Sequence, residues 1–128
     1  MAFRSPSFDA VQEVSVGNVV LGRAPVKIIS SVCAATAEEM IEQAKAIEAS
    51  GADIIEWRAD YFADDTSWQE AVAAMKTVVT KPVIYTFRSQ SEGGVRTEPM
   101  SSTTWRKKVL AAIDSKLFDA VDIEFDRG

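Results

Sequence analysis

The sequence predicts an α/β fold built from parallel βα repeats. Three observations carry that expectation. Apolar, β-branched runs alternate with amphipathic helical segments, giving four strands with three helices between them, an order that implies a parallel sheet with right-handed crossovers. Three of the strands keep polar residues on one face, whereas the central strands of an open doubly wound sheet meet helices on both sides and read as apolar throughout. Those polar residues also gather at the C-terminal ends of their strands, where a barrel builds its site. Together these features point to half of a (β/α)8 TIM barrel.

Residues 1–13 mix polar and small side chains and read as a flexible tail, leaving 14–128 as a single partial barrel domain. From Val14 to Gly22, a two-residue Gly17-Asn18 turn sits between β-branched arms, an N-terminal β-hairpin ahead of the main fold. Pro25 leads into the run Val26 to Cys33, read as a first buried strand with Ile29, Ser31 and Cys33 facing inward. Thr36-Ala37-Glu38-Glu39 is a capping box, after which Met40, Ile41, Ala44 and Ile47 recur at helical spacing until Gly51 supplies a stop. Asp53 to Arg58 forms the second strand. Ser67-Trp68-Gln69-Glu70 offers another capping box, and Trp68, Ala71, Val72, Met75 and Val79 make the stripe that follows it. Lys81-Pro82 opens a third strand, Val83 to Arg88. Beyond the loop Ser89 to Met100, Thr103 or Thr104 is placed to cap a third helix whose buried side is Trp105, Val109, Ala112 and Ile113. A fourth strand, Ala120 to Phe125, puts Val121, Ile123 and Phe125 on one face and Asp122 with Glu124 on the other. Trp57, Trp68 and Trp105 read as core.

With 128 residues, 47% hydrophobic and 26% charged, the chain has the composition of one ordinary globular domain. A net charge of -5, with Arg106-Lys107-Lys108 as the only cationic run, disfavours nucleic-acid binding. No apolar run approaches the roughly 18 residues of a spanning helix, so no membrane partner is expected. A single cysteine, Cys33, and a start without a secretory core point to the cytoplasm. Histidine is absent, which removes the usual general base and the commonest metal ligand.

Candidate functional residues follow from strand alternation. Ile54, Glu56 and Arg58 share one face, and Ile84, Thr86 and Arg88 share the corresponding face of the next strand. A carboxylate and a guanidinium at the end of an apolar strand are costly to bury unless paired, and a polar ligand would justify them. Ser31 is the polar exception of the first strand. In the loop Arg88-Ser89-Gln90-Ser91-Glu92-Gly93-Gly94, paired glycines let the backbone turn tightly near a ligand.

Glu-Trp-Arg-Ala-Asp at 56–60, Tyr-Thr-Phe-Arg-Ser at 85–89, that loop, and Asp-Ile-Glu at 122–124 resemble, in order and spacing, the type I 3-dehydroquinate dehydratases. The resemblance runs from Val14 to Phe125 and covers the N-terminal half of that family's barrel. It implies a shikimate-pathway lyase that converts 3-dehydroquinate to 3-dehydroshikimate through a lysine Schiff base, with no metal and no cofactor. By position, Glu56, Arg58 and Arg88 would be ligands of substrate oxygens and Glu92 a partner of the family's histidine, while Ser31, Thr86 and Glu124 line the same pocket. The family takes its imine lysine and its histidine from later strands. The seven lysines of this chain sit at helix surfaces or, like Lys27 and Lys81, at the N-terminal ends of strands. The resemblance therefore implies a chain that holds substrate, has no catalytic residue of its own and is inactive alone.

Other readings of the same residues stay open at this level. Glu56 and Arg58 could pair across strands as a structural network, and Arg88 with Glu92 could be a solvated loop pair. Ser31 and Thr86 could satisfy local backbone groups. Asp60, Asp122 and Glu124, if they converge, would suit a hard metal ion in a different barrel enzyme. A half barrel also exposes two sheet edges and a half-covered interior, which suits a self-associating module forming a homodimer through those edges.

Overall fold

The computed structural model describes residues 12–125, so the expected tail lies almost wholly outside the described residues. Strands β1 (Val14–Val16) and β2 (Val19–Leu21) pair antiparallel around Gly17, whose φ of 57° is the left-handed geometry of the expected turn. A Cβ on Gly17 would lie 2.9 Å from Pro82 Cγ, so the ribbon tip packs against the start of a main-sheet strand. The main sheet contains β3 (Ile29–Val32), β4 (Ile54–Arg58), β5 (Val83–Thr86) and β6 (Ala120–Val121), all parallel and in that spatial order. Helices α1 (Ala37–Glu48), α2 (Trp68–Lys76) and α3 (Ser102–Ser115) fill the successive crossovers. The sheet and helices follow the parallel βα plan expected of a barrel segment.

The core lies between the helices and one face of the sheet. Val32, Ile55, Trp57, Val83 and Tyr85 from the strands meet Met40, Ala44, Val72, Met75, Trp105 and Val109 from the helices. Trp57 is its centre, stacked on Trp68 and Phe118 and edge-on to Phe62 and Tyr85. The opposite face is polar and unenclosed. Register places Ser31 beside Glu56 and Arg58 beside Thr86 on that face. Two aspartates fix this register from below: Asp53 accepts from the Ile28 amide and Asp119 from the Val83 amide, each at 2.8 Å, so the residue just before β4 or β6 braces the preceding strand.

Local details depart from the sequence expectations in instructive ways. The run from Val26 to Cys33 shortens to four paired residues and only Val32 of these is buried: Val26 and Ile28, 90% and 57% exposed, precede the strand, and Ile29, 50% exposed, faces the open inner side. The first capping box forms, Thr36 Oγ1 accepting from the Glu39 amide, while the Glu39 carboxylate accepts from the Ala35 amide. That helix ends at Glu48, ahead of Gly51. The second box does not form. Ser67 takes the N-cap position but donates its hydroxyl to Asp64, which also accepts from the Thr66 amide and hydroxyl. Those donors pull the Asp64 carboxyl down to about 2. Ser101, not Thr103 or Thr104, caps α3 by accepting from the Thr104 amide. Ile113 is half exposed, while Trp105, Val109 and Ala112 are buried as expected. The third strand leaves the ladder after Thr86, and the fourth pairs only over Ala120–Val121; Ile123 and Phe125 point to open space, since no described helix packs there.

Truncating a side chain at the centre of the one-sided core should cost far more than truncating one on the helix exteriors. Met75→Ala is expected to lower the urea-derived unfolding free energy by about 2–5 kcal/mol, and Leu110→Ala, at a half-exposed position, by less than about 0.5 kcal/mol.

Candidate active site

The polar side chains of the open face are held individually, each by a different device. Glu56 is gripped from both neighbouring strands: Ser31 Oγ donates to its Oε1 at 2.6 Å and Thr86 Oγ1 to its Oε2 at 2.8 Å. Thr86 is fully buried, so its hydroxyl serves to orient the carboxylate, and Ser31 does the same from an exposed position. Neither hydroxyl is spent on a local backbone group. Glu56 and Arg58 do not pair with each other across strands.

Arg58 is instead clamped by Asp60. Its Nε and Nη2 donate to Asp60 Oδ1 and Oδ2, both at 2.8 Å, in a bidentate pair, and its guanidinium lies 5.0 Å over the Tyr61 ring. Asp60 is 1% exposed, on a 3-10 turn (Ala59–Tyr61) that follows β4 directly. Its oxygens also accept from the Arg88 and Val95 amides, at 3.4 and 3.3 Å. Burial pushes the Asp60 carboxyl up, but the Arg58 hydrogen bonds and charge, with the two amides, outweigh it and hold the group below the ordinary carboxylate range. The same hydrogen bonds raise the Arg58 pKa, so this pair is fully ionised at neutral pH.

Arg88 reaches the opposite way. It donates to both Asp122 and Glu124 at 3.4 Å, not to Glu92, and Glu124 also accepts from the Ser89 amide at 2.8 Å. Glu124 is buried and thus braces Arg88 and its loop. Glu92 ends a 3-10 turn (Gln90–Glu92), is exposed, and lines with Arg88, Asp122 and Glu124 an open depression of about 410 Å³. The metal alternative fails on this geometry: Asp60 is spent on Arg58, and among the described residues no group of three suitable side chains could hold an ion.

Arg96 is a residue that sequence reasoning missed. Its Nε donates to the Asp60 carbonyl at 2.8 Å and its Nη2 to the Phe62 carbonyl, tying the loop after β5 onto the loop after β4. The signal was the adjacent glycine pair. A Cβ on Gly94 would lie 2.0 Å from the Arg88 carbonyl oxygen, so only glycine lets the loop fold back and deliver Val95 and Arg96 to Asp60. No described lysine stands on the open face. Lys81 donates to the Ile47 and Ser50 carbonyls, Lys76 to Leu117, and Lys27 to Pro25, while Lys108 pairs with Asp65.

Parallel strands covered by helices on one side, with ionised side chains at their C-terminal ends on the other, define a segment of a (β/α) barrel with its site at the strand tops. The sequence profile described as type I 3-dehydroquinase matches residues 28–128, and the chain belongs to that family. It is 36% identical over 122 residues to a 3-dehydroquinate dehydratase of Escherichia coli O8 (strain IAI1), covering 92% of this chain and 48% of that protein, with the same figures for one of Shigella dysenteriae. Among solved structures it is similar to a type I 3-dehydroquinate dehydratase from Clostridium difficile carrying covalently modified comenic acid (TM-score 0.83, 26% identity, 91% of this chain, 47% of that one). A 3-dehydroquinate dehydratase from Geobacillus kaustophilus HTA426 superposes with a TM-score of 0.82 at 25% identity, covering 91% of this chain and 47% of that one. The chain spans about half the length of the curated relatives it matches.

The depressed Asp60 carboxyl fixes a pH dependence. A group whose pKa is lower folded than unfolded contributes stability that is present above the unfolded value and lost as pH falls through the folded one. Unfolding free energy should therefore fall as pH drops below the ordinary aspartate value of 3.8. Asp60→Asn should remove about 3–5 kcal/mol at pH 7 by leaving Arg58 unpaired, and should flatten the acid limb of a pH series of urea titrations.

Proposed function

We propose that these residues form the substrate-holding part of a site that dehydrates 3-dehydroquinate to 3-dehydroshikimate. The observation that carries this reading is the fixation of Glu56, Arg58 and Arg88 at the C-terminal ends of β4 and β5 on one open polar face, within a chain of the type I 3-dehydroquinase family. Each is held by groups that leave donors or acceptors unused. Arg58 spends Nε and one Nη2 hydrogen on Asp60, so its Nη1 amino group can donate to a substrate carboxylate or hydroxyl. Arg88 makes only long contacts to its carboxylates and can shorten a bond to an incoming oxyanion. Glu56, already accepting two hydroxyl protons, can accept from substrate hydroxyls as well. Ser31, Thr86 and Glu124 act in this reading as supports of those ligands, and Glu92 stands at the rim where it would meet a histidine supplied from outside these residues.

Imine chemistry makes the ketone an electron sink, so that a base can take the adjacent proton before hydroxide leaves. That chemistry needs a lysine amine and a base beside the substrate. This sequence has no histidine, and no described lysine lies on the open face. The purified 128 residues are therefore expected to form no 3-dehydroshikimate and to trap no substrate with borohydride, followed by ultraviolet absorbance and by intact mass. Turnover or a reduced adduct would overturn the division of labour proposed here. A cytoplasmic setting fits the single cysteine, Cys33, which has no disulfide partner in the sequence.

A second reading is favoured by one observation: the two outer strands carry exposed apolar side chains, Ile28 and Ile29 beside β3 and Ile123 and Phe125 beyond β6. Two copies pairing through these edges would cover them and enclose the inner face. Sedimentation of the purified chain is expected to show a dimer at micromolar concentration, and a well-folded monomer there would exclude this assembly.

A further inference from the structure

We propose that the cleft between α2 and α3 is a binding site for a small planar aromatic carboxylate. It lies on the helix-covered side of the sheet, behind Glu56 and Arg58, and owes nothing to the dehydratase reading. The cleft encloses about 250 Å³. That is below the roughly 300–1,000 Å³ of sites for drug-sized ligands, and it limits an occupant to one ring or two fused rings. Its inner wall is made by Trp57 and Tyr85 with Phe87, Trp68 forms one side, and Thr104 with Lys107 forms the rim.

Three features of this cleft call for a ligand of that chemistry. The first is an unspent donor. Tyr85 is 3% exposed and lines the cleft, and its hydroxyl makes no hydrogen bond to any described residue, so a ligand in the cleft can accept from it. Burial, with the charges of Asp65 and Asp60, pushes the phenol pKa up, so at neutral pH the group keeps its proton and is able to donate. The indole Nε1 of Trp57, in the same wall, is likewise buried without a partner. The second is the ring geometry. Trp57 is already covered by Trp68 and Phe118, but Trp68 is itself half-buried and tilted by 52° against Tyr85 at 6.4 Å, which leaves aromatic surface along the cleft for one more flat ring. The third is charge at the mouth. Lys108 is paired with Asp65 at 3.1 Å and sits over the Phe87 ring, whereas Lys107 makes no ion pair with any described residue. One uncompensated cation above an aromatic floor with a phenol donor matches one carboxylate on one ring system.

Trp57 and Trp68 report on the cleft directly. Indole-3-carboxylate and 4-hydroxybenzoate, added to the purified chain, should change intrinsic fluorescence saturably, with amide shifts in nuclear magnetic resonance spectra centred on Tyr85, Phe87 and Thr104. Lys107→Ala should weaken both probes roughly tenfold while leaving neutral indole unaffected, as expected for loss of one charge-assisted contact. Tyr85→Phe should weaken them too, and should not lower the melting temperature, because it keeps the packed ring and removes a hydroxyl that bonds no described residue. Absence of saturable change at millimolar probe would overturn the proposal. So would shifts centred on Glu56 and Arg88, which would place the probes on the other face, or a Lys107→Ala variant that binds the carboxylates unchanged.

Discussion

The bidentate pair between Arg58 and Asp60 is the interaction on which the rest of the polar face depends. Asp60 is fully buried immediately beyond the strand that carries Arg58, so the guanidinium cannot swing away without stranding a charge, a loss of about 3–5 kcal/mol in comparable buried pairs. The same carboxylate takes the amides of Arg88 and Val95, and its backbone carbonyl takes Arg96. One side chain thus fixes the end of β4, the start of the loop after β5, and the return of that loop. A buried pair of this kind adds little net stability over an apolar substitute. Its effect is positional, because it leaves a guanidinium with unused donors at a fixed place in an otherwise open face.

The molecule divides its chemistry by sheet face. Outward side chains of the strands build an aromatic and aliphatic layer under three helices, and that layer supplies the burial on which folding rests. Inward side chains near the strand tops are charged or hydroxylic and are satisfied laterally, strand to strand, by Ser31, Thr86, Asp122 and Glu124. Lateral satisfaction is what holds the Glu56 carboxylate in place on the open face of a hydrophobic strand.

Period and capping made most of this fold legible in the sequence. Alternation in Ile54 to Arg58 identified the polar face, and the helical stripes placed Met40, Ala44, Val72, Met75, Trp105 and Val109 correctly in the core. Competition between nearby polar groups was not legible. Ser67 looks like an N-cap in one dimension but loses its hydroxyl to Asp64, and Ser101 displaces Thr103 and Thr104 as the cap of α3 by one turn-forming bond. At the site, Glu56, Arg58 and Arg88 were readable from register alone. Their partners were not: Asp60 was weighed as a metal ligand, and Arg96 was passed over, because both act through a loop folded back by Gly94, a contact no periodicity encodes. Ile113 was expected to be buried and is half exposed, since burial depends on which elements lie alongside as much as on the residue's own pattern.

The two aspartates at the foot of the sheet have a consequence for the top. Asp53 holds the amide just before β3 and Asp119 the first amide of β5, setting the slide of β4 against β3 and of β6 against β5. In a strand, a slip of one residue turns every side chain to the other face. A one-residue error at Ile28 would therefore carry Ser31 out of reach of Glu56, and one at Val83 would turn Thr86 and Arg88 toward the helices. The alignment of these polar groups is set three to five residues away, by carboxylates that never approach them. Selection on the foot of such a sheet is, in that sense, selection on its chemistry.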